Sequence, residues 1–231
     1  MNRLSFVFAF LFISLPLWAQ DETEDSEAVV DSLYREDQFY FGLTYNLLTA
    51  VPEGVRIQGF SGGVRMGFLR DMPINKTRTI AIAIGGGLGL NRYGSTLSVN
   101  DQNGSTQFAV LGDEADFDSN RFSTVHLEAP LEFRWRSSSP SQYRFYRVHA
   151  GVNFSYTVSN RATFVEQGQR VKTTNIEAFN KFQAQATLLF GYNTINFFAA
   201  YQITPLFDGN TLGGEEVGFK PLNLGILFYF L

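Results

Sequence analysis

The chain contains no cysteine, only two histidines, and beyond residue 19 no apolar run long enough to form a membrane helix. Without thiols there are no disulfide staples and no thiolate zinc sites. The acylated N-terminal cysteine that anchors bacterial lipoproteins is excluded as well. A transmembrane helix requires about 20 consecutive apolar residues, which the sequence after the leader does not supply. Surplus positive charge is also missing. Of the 18 Lys and Arg, Arg3 lies in the leader, so the remaining 17 face 22 Asp and Glu, a net charge of −5. That balance argues against a general nucleic-acid binder, which presents a basic face to phosphates.

Arg3, the apolar stretch Leu4–Leu17 and Ala19 form the three-part pattern of a secretory signal peptide, with cleavage expected between Ala19 and Gln20. Asp21–Asp37 then holds eight acidic residues and one basic residue, a composition that predicts a disordered periplasmic tail. Within it, Asp31-Ser32-Leu33 resembles a short O-glycosylation sequon of Bacteroidota. The expected organisation is a signal peptide over 1–19, an acidic tail over 20–37 and one folded domain over 38–231.

The chain is 45% hydrophobic and has 24 Phe, and these residues recur with period two in eight segments separated by turn signals. Phe39, Phe41, Leu43, Tyr45 and Leu47 share one face of the first. Phe60, Val64, Met66 and Phe68 mark the second, and Ile80, Ile82, Ile84, Leu88 and Leu90 the third. The fourth sets Val125, Leu127, Ala129, Leu131, Phe133 and Trp135 against Thr124, His126, Glu128, Pro130, Glu132, Arg134 and Arg136. Tyr146–Val158, Lys181–Tyr192, Asn196–Thr204 and Leu222–Phe230 continue the alternation.

Connections alternate between short (Asp71–Lys76, Ser137–Gln142, Asn193–Thr194) and long (Leu48–Val55, Ser98–Arg121, Ser159–Ala178, Asp208–Val217). Short periplasmic turns and long external loops give that parity. In hydrocarbon each unpaired backbone group costs several kcal/mol, so strands cross a membrane only in a closed ring. The expected fold is all-β: an eight-stranded antiparallel up-and-down transmembrane β-barrel of the outer membrane, with both termini periplasmic. Tyr40, Tyr93, Trp135, Tyr143, Tyr192 and Tyr229, near segment ends, suit interfacial aromatic girdles. A soluble barrel with a lumenal ligand is the structural rival.

The candidate chemistry lies on the polar faces. His126 and His149 could serve a catalytic triad if paired with a serine and a carboxylate, but mid-strand positions in a narrow barrel favour lumen packing. Glu128 and Glu132, four apart on one face, could act as coupled acids. Arg65, Arg134, Arg136, Arg147 and Lys181 point the same way and favour an ion-pair plug instead. The expected lumenal plug therefore comprises Arg65, Glu128, Glu132, Arg134, Arg147, His149 and Lys181. A tight turn centred between Ser139 and Pro140 would set Glu132 opposite Arg147. Gly85-Gly86-Gly87-Leu88-Gly89 lacks the strand–loop–helix context of a phosphate loop, and its glycines are expected to make room inside the barrel. Asp113, Glu114, Asp116 and Asp118 match no established calcium loop. No catalytic, cofactor or metal residue is assigned.

Several stretches resemble the PorT-type outer-membrane barrel family of Bacteroidota. They are Gln38–Thr49, Gly59–Gly63 continuing through Arg70-Asp-Met-Pro-Ile-Asn-Lys76, Glu128-Ala-Pro-Leu-Glu-Phe-Arg-Trp-Arg136, and Tyr201–Phe207. The resemblance spans about residues 37–231. It implies a non-enzymatic accessory role in type IX secretion and the gliding motility coupled to it, with outer-membrane lipids and secretion-machinery proteins as partners and no nucleic acid. A surface-ligand-binding or adhesin-type barrel is the alternative, and a narrow pore or lipid-acting enzyme a third reading.

Overall fold

The computed structural model describes residues 37–102, 105–112, 114–137 and 145–230. The expected signal peptide, the acidic tail up to Glu36 and Tyr143 lie outside these residues. The strands are β1 (Gln38–Leu47), β2 (Gly62–Pro73), β3 (Ile80–Gly94), β4 (Leu97–Gln102), β5 (Ser105–Val110), β6 (Ser119–Arg136), β7 (Tyr146–Glu166), β8 (Gln169–Thr174), β9 (Phe182–Tyr192), β10 (Ile195–Gln202) and β11 (Leu222–Phe230). Eight of them pair in the order β6, β3, β2, β1, β11, β10, β9, β7, and the β6–β7 ladder closes the ring. Every neighbouring pair in the ring is antiparallel. Closure leaves no edge strand with unpaired amides in the bilayer.

The two faces of the ring are inverted relative to a soluble protein. Phe39, Leu43, Ile84, Leu131, Phe154, Leu188 and Phe197 point outward and are 46% to 64% exposed. Asn46, Asp71, Arg134 and Gln202 point inward and are at most 1% exposed. So large a contiguous apolar surface is sustained by lipid, not by water. The soluble rival is therefore excluded.

Outward aromatics mark both rims. Trp135, Tyr146 and Tyr192 lie at the short-turn end, where Tyr146 and Tyr192 pair across strands with ring centroids 4.9 Å apart. Tyr45, Tyr156 and Tyr201 lie at the other end. Tyr40, Tyr93 and Tyr229 are not girdle residues: each is buried and inward-facing. Alternation puts Tyr40 of β1 and Tyr229 of β11 on the face opposite Phe39 and Phe230, and Tyr93 of β3 on the face opposite Leu90, and proximity to a strand end does not outweigh that parity.

Two further departures have local causes. The β6–β7 register pairs Arg136 with Arg147 and Glu132 with Gly151, not Glu132 with Arg147. The ladder ends where the Ser137 amide donates to the Tyr146 carbonyl at 2.9 Å, and its register raises the sum of paired residue numbers from the expected 279 to 283. An even displacement of the sum keeps every side chain on its expected face.

The long connections are also more ordered than loops. β7 continues past the ring and folds back on β8, while β4 and β5 form a separate hairpin. A bulge hides this extension from period-two reading: His126 pairs with Thr157 but Val125 with Ser159. Val158 is the extra residue, and beyond it the inward parity passes to Asn160 and Ala162.

Candidate functional site

The lumen is filled by two groups of ion pairs stacked along β2, β3 and β6. Nearest the short turns, Asp71 of β2 holds two guanidinium groups at once. Arg136 Nη1 donates to its Oδ2 at 2.9 Å and Arg134 Nη1 to its Oδ1 at 3.3 Å. Arg134 also reaches its own strand neighbour Glu132, with Nε to Oε2 at 3.0 Å. The same carboxylate lies 3.5 Å from His149 Nδ1. The ring of Tyr229 lies beneath both Arg134 and Arg147, at 5.8 and 5.5 Å from their guanidinium carbons. Such pairs tolerate burial because the opposite charges compensate one another, although Arg134 Nη2 has no hydrogen-bond partner among the described residues.

One layer further in, Arg65 Nη2 donates to Glu128 Oε1 at 2.7 Å and to Gln185 Oε1 at 3.3 Å, with its guanidinium 4.5 Å over the Phe198 ring. Amides continue the chain: Gln185 Nε2 donates to Gln202 Oε1 at 2.8 Å, and Gln202 Nε2 to Gln183 Oε1 at 3.1 Å. The glycine run of β3 makes this packing possible. A Cβ on Gly87 would collide with the Tyr40 hydroxyl, and one on Gly89 with the Glu128 carboxylate. What remains between Tyr40, Arg65, Glu128, Glu132, Thr187 and Phe198 is a cavity of about 20 Å³, space for roughly one water.

Above the lumen the chemistry changes. Residues from the long connections meet strand residues Tyr93 and Phe122 in a single apolar cluster that includes Leu48, Leu97, Phe108, Ile176, Phe179, Leu206, Phe207, Val217 and Phe219. Phe207 is its hub, with Phe122, Phe108 and Phe179 rings at 5.2, 5.3 and 5.3 Å. Backbone bridges Phe179–Phe207 and Phe108–Thr211 tie three of the connections to one another. All four long connections contribute side chains. The barrel is thus closed twice, by ion pairs within and by an aromatic cap over them.

The family model of the outer membrane protein beta-barrel domain matches residues 18–209. The chain belongs to this family. Its eight-stranded closed barrel is accordingly an outer-membrane barrel. No functionally curated protein matches the sequence. Among solved structures, the chain is similar to Ail, the attachment invasion locus protein of Yersinia pestis, determined in complex with the heparin analogue sucrose octasulfate. That similarity has 14% identity, covers 84% of this chain and 99% of that chain, and has a TM-score of 0.38.

Within this outer-membrane barrel, Arg65, Glu128, Glu132, Arg134, Arg147 and His149 all lie inside the ring. Lys181 does not. It immediately precedes β9, its side chain is exposed, and its carbonyl accepts the Thr157 amide at 2.8 Å. Inward parity is lost there because the ladder is giving way to the connection. Glu132 pairs with Arg134 and His149 in place of Arg147, as the register requires.

His126 is held by hydroxyls on both sides: Thr124 at 2.7 Å to Nε2 and Thr157 at 2.8 Å to Nδ1. Among the described residues no carboxylate is hydrogen-bonded to it, and its two hydroxyl partners are those of a packed residue and not those of a triad. Asp118 accepts the Gly168 amide at 3.0 Å and so fastens the β7–β8 turn. Among the described residues, no three histidines or carboxylates converge as metal ligands. Asp113 lies outside those residues. Asp71, expected in the Asp71–Lys76 turn, lies within β2 and faces inward. The signal was available: inward parity runs Arg65, Gly67, Leu69, Asp71, and β2 extends to Pro73.

Proposed function

We propose that this protein is a sealed docking element of the outer membrane, without enzymatic activity of its own, that assists the export of proteins through type IX secretion. The observation that carries the reading is the double closure. Among the described residues the ion-paired lumen holds a cavity of about 20 Å³ and an aromatic cap lies over it, whereas aqueous channels belong to much wider barrels. What the barrel offers to partners is the ordered structure built on its long connections. In the reading proposed here those connections face outward and both chain ends face the periplasm, following the parity of turn lengths. The sequence resemblance to PorT-type barrels supplies the direction, towards type IX secretion and gliding.

A strain lacking the protein is expected to retain exported proteins in the periplasm and to lose gliding, with its outer membrane still excluding hydrophilic dyes. Normal secretion and gliding in that strain would overturn the reading. A second reading, a barrel that binds a surface ligand, is favoured by one feature: Arg121, Arg161, Arg170 and Lys172 line one external groove.

A further inference from the structure

In a chain with net charge −4, five cations gather on one outward face of the extended sheet. Arg121 and Ser123 of β6 pair with Thr163 and Arg161 of β7; Ser123 also pairs with Arg92 of β3, and Thr163 with Lys172 of β8. Arg170 pairs with Val165 on the same face. Among the described residues, none of the five has a carboxylate within ion-pair distance. Arg121 donates only to the neutral Ser119 hydroxyl at 3.0 Å. Cations crowded in this way without anions are held at an electrostatic cost that an anionic ligand would relieve.

Their position identifies the ligand. Four of them line a groove of about 290 Å³ floored by Ser123, Thr124 and Val125. Those same three residues also border a second groove of about 460 Å³, lined by Leu43, Phe60, Val64, Leu90 and Arg92. The second groove lies on the lipid-facing band, where Leu43, Phe60 and Leu90 are exposed. Arg121 is four residues along β6 from Val125, about 13 Å at the usual strand rise, which places the cations at the headgroup level of that band. A soluble anion would use only the basic groove. An amphipathic one uses both.

We propose that these two adjoining grooves form a binding site for a phosphorylated membrane glycolipid of the lipid A type, its phosphates seated among Arg121, Arg161, Arg170 and Lys172 and an acyl chain along Leu43, Phe60 and Leu90. The proposal stands on the barrel and not on the export reading, so its failure leaves that reading untouched.

The test offers the purified full-length protein, in neutral detergent, lipid A or its enzymatically dephosphorylated form, and reads bound lipid by native mass spectrometry. Phosphorylated lipid is expected to be retained on the order of tenfold or more over the dephosphorylated form, as several cations near one headgroup would give. Replacing all four groove cations by Gln should abolish that preference while the protein keeps its folded electrophoretic mobility. The pair Arg170→Gln and Lys172→Gln carries the test if the quadruple variant misfolds, since β8 lies outside the closed ring. Equal retention of both lipids, or an unchanged preference in the variants, would overturn the proposal. So would displacement of the lipid by equimolar inorganic phosphate, which would mean an adventitious ion only.

Discussion

The lumen and the cap lie one above the other on the same ring of strands, and they are stabilised by opposite chemistry. In the lumen, Asp71, Glu128 and Glu132 neutralise arginines at distances of 2.7 to 3.3 Å. In the cap, Phe207 is surrounded by other aromatic rings. The difference follows from what each region has to offer its neighbours. Side chains inside the ring arise from a fixed ladder at every second position, so long polar groups can be aimed at one another with little conformational freedom left to lose. Connections outside the ladder gain no such positioning. They order by burying area instead, which is non-directional and tolerates irregular backbone.

This contrast is tested most severely by removing a charge from the lumen. Asp71→Ala withdraws the carboxylate shared by Arg134 and Arg136 and should cost about 3–5 kcal/mol, read from urea-dependent folding in lipid vesicles. Glu128→Leu combined with Arg65→Met should cost far less than Glu128→Ala alone, because no buried charge is left behind. Equal costs for the double and single changes would mean that the lumen is wet and its pairs screened.

The lipid face comes next. Arg at Leu131, Val152 or Leu188 should destabilise by about 2–4 kcal/mol near the midplane, in the same folding titration. Full tolerance at all three would place those residues outside the bilayer. Phe207→Ala, although it deletes the hub of the cap, should leave the global midpoint little changed and instead open the connections locally. The expected readout is faster proteolysis within the connections 175–181 and 203–221 while the ring keeps its heat-modifiable mobility. A global loss of several kcal/mol would mean that cap and ring fold as one unit. The smallest effect concerns the short-turn girdle: breaking the Tyr146–Tyr192 contact by Tyr192→Leu should cost about 0.5–1 kcal/mol.

The same contrast explains what could be read in advance. All eight ring strands were legible because a ladder converts sequence parity directly into direction, and the same parity turns Arg65, Glu128, Arg134, Arg147 and His149 inward. Register was not. Parity survives any even slip, so the Ser-rich connection after Arg136 allowed Glu132 to be set against Arg147 when Gly151 faces it. Val158 hid the extension of β7, since one bulged residue reverses the pattern and makes continuing strand resemble loop. Asp71 is hidden by ending β2 at the adjacent charges Arg70 and Asp71, although charge is what a lumenal face carries, as Arg65 of the same strand shows. The cap left no periodic trace at all. Leu206, Phe207, Val217 and Phe219 come from an irregular connection, and only their unusual apolarity for loop residues marked them.

The central claim is that the barrel is closed twice, independently. Planar-bilayer conductance of wild type and of Phe207→Ala tests it most directly. Neither protein should give discrete current steps, because the ion-paired lumen stays shut even when the cap is opened. Resolved, voltage-stable steps from the wild type would contradict the account outright, and steps from Phe207→Ala alone would show that the cap, not the lumen, is the seal.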